Sequence, residues 1–280
     1  MKKTVLQSRI WLCQILTTFV LCALYFVLNT SIHAQTFDFN KAYQDHLYNL
    51  TLYNQAYSDY QDVKNSYLAN KTLSLKEDAR QKTLNMLKSR DQMMIVYMQM
   101  LKQKIVEDKG LSGEDKNNIF VKIDSEIEWY KSDKEKYNPN DSLETLFGRS
   151  EEARVRYKSN TLLTIDETLV NIGLGEEIAL RNDHESVYST LKTAIDTGVA
   201  VGKLTLNPFN HWLTDIDATD SLLKQNESDV RIQIRKIYEQ SYSPQGSFEA
   251  SIEILGQGVQ QLFQFNEFLT EVLNYIKNQQ

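Results

Sequence analysis

Helix-breaking residues are rare in this chain and stand between its periodic stretches. Only 3 of the 280 residues are proline and only 10 are glycine. Pro139, Pro208 and Pro244 each fall between stretches whose apolar residues recur every three or four positions. Proline inside a helix removes a hydrogen bond and clashes with the preceding turn, so this placement favours long helices. Such a scarcity of turn-forming residues excludes collagen-like and low-complexity chains and many-turned β-sandwiches.

The first 34 residues have the pattern of an export signal. The basic residues Lys2, Lys3 and Arg9 come first. An apolar run over residues 10–28 follows, and a short polar stretch then ends at Ala34. This order is typical of a signal peptide that is cleaved after Ala34. The apolar run also approaches the length that spans a bilayer, so an uncleaved membrane anchor is the alternative. Both alternatives predict an extracytoplasmic protein, either secreted or anchored to the cytoplasmic membrane by this segment.

Without this segment the body of the chain is more acidic and has no thiols. Its formal charge falls from −6 to −9, because the segment holds three positive charges and no negative one. Both cysteines, Cys13 and Cys22, also lie in the segment. Disulfides, a nucleophilic cysteine and thiolate metal sites are therefore excluded from the body. Nucleic acid is excluded as a partner, since binding its backbone needs a basic face.

Apolar periodicity predicts an all-α fold. We expect an elongated bundle of about six to seven long helices with coiled-coil-like packing, preceded by the N-terminal signal or anchor helix. The first three helices are predicted at about 39–70, 74–110 and 114–137. Another begins near Asp141 and is expected to break at Gly148 and again at Gly173 and Gly175. Two more follow, one centred on residues 216–237 and a last one from Phe248 onward.

Caps and heptad seams give these helices a predicted register. Capping boxes are expected at Ser74 and Asp141, and Asn207 and Ser243 are expected to cap helices that begin with proline. The seam of the second helix is predicted to be Leu84, Leu87, Asp91, Met94, Met98, Leu101 and Ile105. The seam of the last helix is predicted to be Phe248, Ile252, Leu255, Val259, Leu262, Asn266, Leu269, Leu273 and Ile276. Asn266 is expected to fix register at a core position, and the charges of the third helix are interpreted as a solvated surface.

A turn at residues 138–140 divides the body into two parts. The predicted organisation is a signal peptide or membrane anchor over 1–34, a tyrosine-rich helical hairpin or three-helix part over 35–138, and a C-terminal helical bundle part over 139–280. Whether the two later parts are separate domains stays open. No internal repeat supports a solenoid.

A row of tyrosines in the first helix is the most unusual feature of the sequence. Six tyrosines fall within this helix, and four of them, Tyr53, Tyr57, Tyr60 and Tyr67, are predicted as a possible interaction face. Tyrosine combines a large apolar area with a polar tip, which suits recognition surfaces. The alternative, favoured by the heptad register of the row, is a semi-polar seam inside the bundle.

No motif predicts catalytic, cofactor-binding or metal-binding residues. None of His46, His184 and His211 has a glutamate three residues before it, so the Glu-x-x-His spacing of carboxylate-bridged metal pairs is missing. His211 lies near three aspartates, a pattern more typical of a solvated helix start than of a metal site. The glycine pairs at 173/175 and 256/258 are interpreted as close helix contacts or bends, because the rest of a dinucleotide fingerprint is absent.

The stretch Tyr53 to Leu101 combines several short elements. They are Tyr57-x-x-Tyr60, Lys64-x-x-Tyr67-Leu68, Lys71-Thr72-Leu73, Ala79, Lys82-Thr83, Met86-Leu87 and Arg90-Asp91. This stretch resembles a group of uncharacterised exported all-helical proteins from small-genome, host-dependent bacteria. The resemblance implies an envelope or extracellular setting, with no known activity and no functional residue to transfer.

These observations favour a non-enzymatic, extracytoplasmic helical-bundle protein that acts through protein–protein contacts at the cell envelope. Its expected partner is another protein or a second copy of itself. Membrane contact is expected only through residues 10–28 if that segment stays uncleaved, and no small molecule is identifiable. One alternative is an exported ligand-binding or enzymatic helical domain with an inter-helix pocket. A helical pore-forming toxin is the other, and the body contains no apolar stretch of spanning length to support it.

Overall fold

The computed structural model describes residues 37–239 and 243–278. Regular structure within these ranges is helical throughout, which confirms the all-α prediction. The chain divides into a unit of residues 1–41, of which 37–41 are described and helical, and a unit of residues 42–280. The predicted signal or anchor over 1–34 lies outside the described residues. None of the described helices is both long enough and apolar enough to cross a membrane.

Seven α-helices follow one another along the described residues. They are α1 (Phe37–Ala69), α2 (Leu73–Glu107), α3 (Gly113–Lys136), α4 (Leu143–Arg156), α5 (Leu162–Ala200), α6 (Asn210–Lys236) and α7 (Pro244–Asn278). One π-helical turn, Tyr157–Thr161, joins α4 directly to α5, and a 3-10 turn, Asn207–Phe209, precedes α6. The boundary predicted at residue 138 falls in the loop between α3 and α4, and a division into two domains there stays a prediction.

Hydroxyl side chains cap several helix starts. Thr72 accepts a hydrogen bond from the Leu75 amide at the start of α2, and Ser142 accepts one from the Thr145 amide at the start of α4. The capping boxes predicted at Ser74 and Asp141 are therefore wrong by two residues and one. Each true cap has an extended backbone that points its hydroxyl at the amide three residues ahead. The cap predicted at Ser243 is confirmed, because its hydroxyl accepts from the Gly246 amide at 3.3 Å.

The predicted breaks at Gly148, Gly173 and Gly175 are wrong, because all three glycines lie inside helices. A glycine costs a helix interior only about 1 kcal/mol, which packing of the continuous helix offsets. The close-contact interpretation of Gly173 and Gly175 is confirmed. A Cβ at Gly173 would press on Leu255 of α7, and one at Gly175 would overlap the carboxylate of Asp108.

Most neighbouring helices of residues 42–280 run antiparallel, whereas α4 continues into α5 in the same direction. Helix α3 runs antiparallel to α2, as shown by the contacts Lys102–Asp124 at 2.7 Å and Lys134–Gln92 at 2.6 Å. Helix α5 is antiparallel to α3, and α6 is antiparallel to α5. Helix α7 is antiparallel to α6 and therefore parallel to α5. The seam predicted for α2 is confirmed in full, since all seven of its residues are buried.

The seam predicted for α7 is wrong in alternate positions. Leu255, Leu262 and Leu269 are buried as expected, but Ile252, Val259 and Asn266 are exposed. Helix α7 packs against both α5 and α6, so its buried face is centred on the line of Ser251, Leu255, Gly258, Leu262 and Phe265. The predicted heptad seam, which assumed a single partner helix, is rotated away from this line. Asn266 is therefore exposed and does not fix register in the core.

Candidate functional site

The predicted tyrosine face of α1 is divided between core and surface. Tyr60 is only 9% exposed and packs in a cluster with Leu84 and Leu87, which Tyr53 joins from the edge. Tyr57 is 45% exposed, and Tyr67 is half-buried. The rings of Tyr53, Tyr57 and Tyr60 follow one another at centroid distances of 6.1 and 6.2 Å. The four residues therefore line the edge of the α1–α2 contact and do not form one exposed face.

Helix α1 contacts α2 through this narrow line and leaves its flanks open. The line is fixed at two points, by Lys82 Nζ at 2.7 Å from Asp59 Oδ2 and by the His46 ring at 5.0 Å from the Tyr97 ring. On the flanks the structure exposes large side chains that the sequence prediction did not choose. They are Tyr43, Leu47, Tyr48 and Leu52. At about 100° per residue, Tyr43, Leu47 and Tyr57 lie on one flank of the helix and Tyr48 and Leu52 lie on the other, and we call these five residues together the outer face of α1.

The composition of this segment is the signal that could have identified the outer face. Between residues 42 and 58 the sole Lys, Arg, Asp or Glu is Asp45. Solvated helix faces normally have many charges, and depletion of charge with enrichment of tyrosine is typical of interfaces.

A buried polar stripe on α3 is the second unusual feature. It consists of the half-buried Lys122, the buried Glu126, Tyr130 and Asp133, and the buried Tyr137 just after the helix end, spaced by three or four residues and therefore on one face. Glu126 is 3% exposed and Asp133 is fully buried, so the interpretation of the α3 charges as a solvated surface is wrong for both. The periodic spacing of these five residues was the signal, and it was obscured by the other charges of α3.

At one end of the stripe two buried aspartates share an arginine. Arg90 donates to Asp91 Oδ1 at 2.7 Å and to the Tyr137 hydroxyl at 2.9 Å, and that hydroxyl donates to Asp133 Oδ2 at 2.9 Å. Burial raises the pKa of Asp91 to about 7, against the opposing effect of Arg90. Burial likewise raises the pKa of Tyr137 well above its ordinary value.

The middle of the stripe contacts the π-helical turn. Glu126 accepts hydrogen bonds from Arg156 at 2.5 Å and from the Thr161 hydroxyl at 2.7 Å. Tyr130 lies 3.2 Å from the same Thr161 hydroxyl, and burial raises the pKa of Tyr130 to about 12. Arg156 precedes the π-helical turn and Thr161 ends it. Glu126 therefore holds the junction of α4 and α5 against α3.

At the other end, α3 is joined to α5 and to the end of α6. Lys122 donates to both carboxylate oxygens of Glu167, at 2.7 and 2.8 Å, and the Tyr238 hydroxyl donates to Glu167 Oε2 at 2.7 Å. The Lys122 ammonium also lies 4.1 Å from the centre of the Tyr238 ring. Each acid of the stripe thus has a cation and a hydroxyl as neighbours, an arrangement that holds helices in register.

Catalytic or metal chemistry has no matching geometry in these contacts. Across the described ranges no three His, Cys, Asp or Glu side chains come together as metal ligands. Two of the three aspartates that follow His211 along α6 serve other partners, since Asp217 accepts from the Tyr188 hydroxyl at 2.9 Å and Asp220 pairs with Lys224 at 2.6 Å.

A buried acid also lies between α5 and α7. Glu177 is 5% exposed, and its carboxylate occupies the space that a Cβ on Gly258 would fill. This confirms that Gly258, of the pair 256/258, marks a close helix contact. Burial, helped by the nearby Glu227 and opposed by Arg181, raises the pKa of Glu177 to about 7.

Replacing Glu177 by glutamine is expected to remove part of the pH dependence of stability. The folded protein keeps this proton up to about pH 7, whereas an unfolded chain loses it near pH 4. The folded state therefore binds more protons between these values, and the free energy of unfolding falls as the pH rises through them. In E177Q we expect the free energy of unfolding to decline less steeply with pH, by on the order of 1 kcal/mol per pH unit. Urea unfolding between about pH 5 and pH 8 measures this difference.

The matched control for this measurement is Glu176→Gln, which changes the exposed neighbouring acid of α5 that pairs with Lys104 at 2.7 Å. It should leave the slope of stability against pH close to that of the unchanged protein. A slope that is the same in E177Q and in the unchanged protein would contradict the buried, protonated state of Glu177.

Comparison with known proteins adds no relative from which a function could be transferred. The resemblance over Tyr53 to Leu101 stays a prediction, and so do export and an envelope setting. Function is therefore argued from the outer face of α1, the polar stripe and the remaining exposed surfaces. No family model, no curated protein and no solved structure matches this chain.

Proposed function

We propose that this protein is a non-enzymatic, extracytoplasmic helical-bundle protein that binds another protein at the cell envelope through the outer face of α1. The observation that supports the proposal most directly is that the exposed large side chains of α1 lie in a segment with almost no charged residues. Tyr48 is 65% exposed, and Tyr43, Leu47, Leu52 and Tyr57 are exposed beside it. Asp45 is the one acidic or basic residue of the segment 42–58 that these five side chains share.

Several physical arguments favour binding over simple solvation for this segment. Tyrosine buries a large area at low cost in side-chain entropy while its hydroxyl finds a hydrogen-bonding partner. Contiguous exposed apolar surface is uncommon on monomeric proteins and marks sites of interaction. Tyr53 and Tyr60 pack in the cluster with Leu84 and Leu87, which holds α1 against α2 next to these exposed side chains.

The setting of this interaction rests on the sequence of the first 34 residues. A basic start, an apolar run and Ala34 support export, with cleavage after Ala34 or retention as an anchor as the two routes. The elongated, coiled-coil-like form of the bundle is likewise part of the proposal, supported by heptad spacing along α2.

Site-specific photocrosslinking in the producing cell tests the proposal. Benzoylphenylalanine is introduced at Tyr48 or at Leu52, both exposed, and at Tyr60 as the buried control. We expect crosslinked species of higher mass from positions 48 and 52 and none from position 60. Mass spectrometry then identifies the crosslinked chain, so that a partner protein and a second copy of this chain are distinguished.

A second variant separates binding from folding. Tyr48→Ser should abolish the crosslinked species seen from position 52, one turn away on the same flank, while leaving helicity and the urea midpoint unchanged. Crosslinks that persist in this variant would contradict the outer face of α1 as the binding surface. Absence of any crosslink from positions 48 and 52 in the unchanged background would contradict the proposed function itself.

A further inference from the structure

A second exposed apolar surface lies between α5 and α7. Its residues are Leu169 and Leu180 on α5 and Ile252, Val259 and Phe263 on α7, and we call it the α5–α7 groove. Phe263 is 68% exposed, more than any other phenylalanine described. Exposed apolar residues at this spacing, beside the buried face of the same helix, are unusual on monomeric proteins.

The contacts between the two helices place these residues on one side of the pair. Gly173 faces Leu255, Glu177 faces Gly258 and the His184 ring stacks on Phe265 at 5.3 Å, so α5 and α7 run parallel. Leu169 and Leu180 therefore lie at nearly the same heights along the pair as Ile252 and Phe263.

Helix α6 packs on the opposite side of α7 from the groove. It contacts α7 through Asn226, which donates to Gln261 at 2.9 Å, and through the Trp212 ring, 5.5 Å from that of Tyr275. At about 100° per residue, Ile252, Val259 and Phe263 fall on the flank of α7 away from Gln261 and Tyr275. The groove is thus the open outer junction of two parallel helices.

The exposed flank of α7 beside the groove has no side chain at Gly256. A Cβ added to Gly256, between Ile252 and Val259 on the same flank, would meet no atom within 4 Å. Exposed side chains beside a glycine notch form the ridge and hollow into which an apolar helix face packs.

The charges on the α7 side of the groove are of one sign. Glu249, Glu253 and Glu267 are exposed on the turns of α7 next to the apolar line. The sole basic residue of α7 is Lys277, at its far end, and α5 contains none between Leu162 and Leu180. On the α5 side, Glu176 is paired with Lys104 of α2 at 2.7 Å. The α7 rim is therefore negative, which attracts a basic partner and repels a second copy of this acidic chain or an anionic membrane.

We propose that the α5–α7 groove binds a basic amphipathic helix of a partner protein. The apolar face of that helix packs on Val259 and Phe263 and fills the notch at Gly256, while its lysines or arginines face Glu249, Glu253 and Glu267. This site is separate from the outer face of α1 and does not depend on it.

Binding of a defined peptide tests the proposal. The probe is a labelled synthetic helix of about three to four turns, the span from Ile252 to Phe263, with leucines on one face and lysines on the other. We expect saturable binding to the full-length protein in fluorescence anisotropy, and a loss of affinity of about tenfold in Phe263→Glu and in Val259→Glu. Leu222→Glu, which changes an equally exposed leucine on α6, is the matched control and should bind as the unchanged protein does.

Charge is tested separately from apolar contact. Combining Glu253→Gln with Glu267→Gln should weaken binding at low salt and reduce its salt dependence. Overturning results are no binding of the lysine peptide, equal binding of a peptide with glutamates in place of the lysines, or an equal loss in Leu222→Glu. Light scattering that finds a dimer in the unchanged protein and a monomer in Phe263→Glu would assign the groove to a second copy and overturn the proposal. Variants of the outer face of α1 should bind the probe normally, so failure of one site does not decide the other.

Discussion

Replacing Gly110 by alanine is expected to lower the free energy of unfolding by about 3 kcal/mol. Gly110 lies in the loop after α2, and a Cβ there would overlap the carbonyl oxygen of Gly175 and press on the amide of Ala179. Both obstacles are backbone atoms of α5, which cannot rotate away as a side chain can. The loop must therefore lift from α5, and this would disturb the cluster that holds Ile105 and Leu111. Urea unfolding followed by circular dichroism measures the change.

Gly148→Ala is the matched control and should change stability in the opposite direction. Gly148 is exposed inside α4, and a Cβ there would meet nothing within 4 Å. Alanine restricts the unfolded chain and favours the helix, so we expect a gain of about 0.5–1 kcal/mol. If Gly110→Ala were as stable as the unchanged protein, the loop after α2 could not be seated on α5 as described.

Replacing Glu126 by alanine is expected to cost about 3–5 kcal/mol of folding free energy. Glu126 is buried, and its loss leaves the guanidinium of Arg156 without its carboxylate and the Thr161 hydroxyl without its acceptor. A buried polar group that loses its partner pays the full cost of having left water. The free energy of unfolding from urea titration gives the size of the loss.

Two comparisons show whether burial is the cause. Glu151→Ala removes an exposed acid that pairs with Arg154 one turn away, and it should leave the free energy of unfolding nearly unchanged. Combining Glu126→Leu with Arg156→Leu removes both charges and should be less destabilising than Glu126→Ala alone. Equal losses from Glu126→Ala and Glu151→Ala would contradict the buried network.

The sequence was sufficient where apolar side chains dominate a helix face. The α2 seam from Leu84 to Ile105 is buried in full, including Asp91. Large apolar residues repeated at heptad spacing form one face of a helix, and burial of that face in the core is strongly favoured. Pro244 likewise identified the start of α7, since proline is tolerated at the first helical position.

The sequence was insufficient where partners come from distant elements. Glu126 and Asp133 are indistinguishable in type from the solvated acids of α3, and their burial depends on Arg156 and Arg90, far away along the chain. Gly173 and Gly175 resemble helix ends until α7 and the loop after α2 are known to approach them. The candidate face was misjudged for the same reason, because the position of α2 decides that Tyr60 is buried and Tyr57 is not.

The π-helical turn over residues 157–161 has a consequence for how the length of this chain can vary. A π turn accommodates one residue more than the α-helical turn it replaces, so it absorbs an insertion without rotating the helix on either side. Loss of one residue there, at the exposed Ser159 for example, would close an uninterrupted α-helix and leave Leu146 and Glu167 facing their present partners. Loss of one residue a few positions later, inside α5, would instead turn one side of the helix by about 100° relative to the other and separate Glu167 from Lys122. Tolerance of single-residue deletions should therefore differ sharply between neighbouring positions of the continuous helix formed by α4, the π turn and α5.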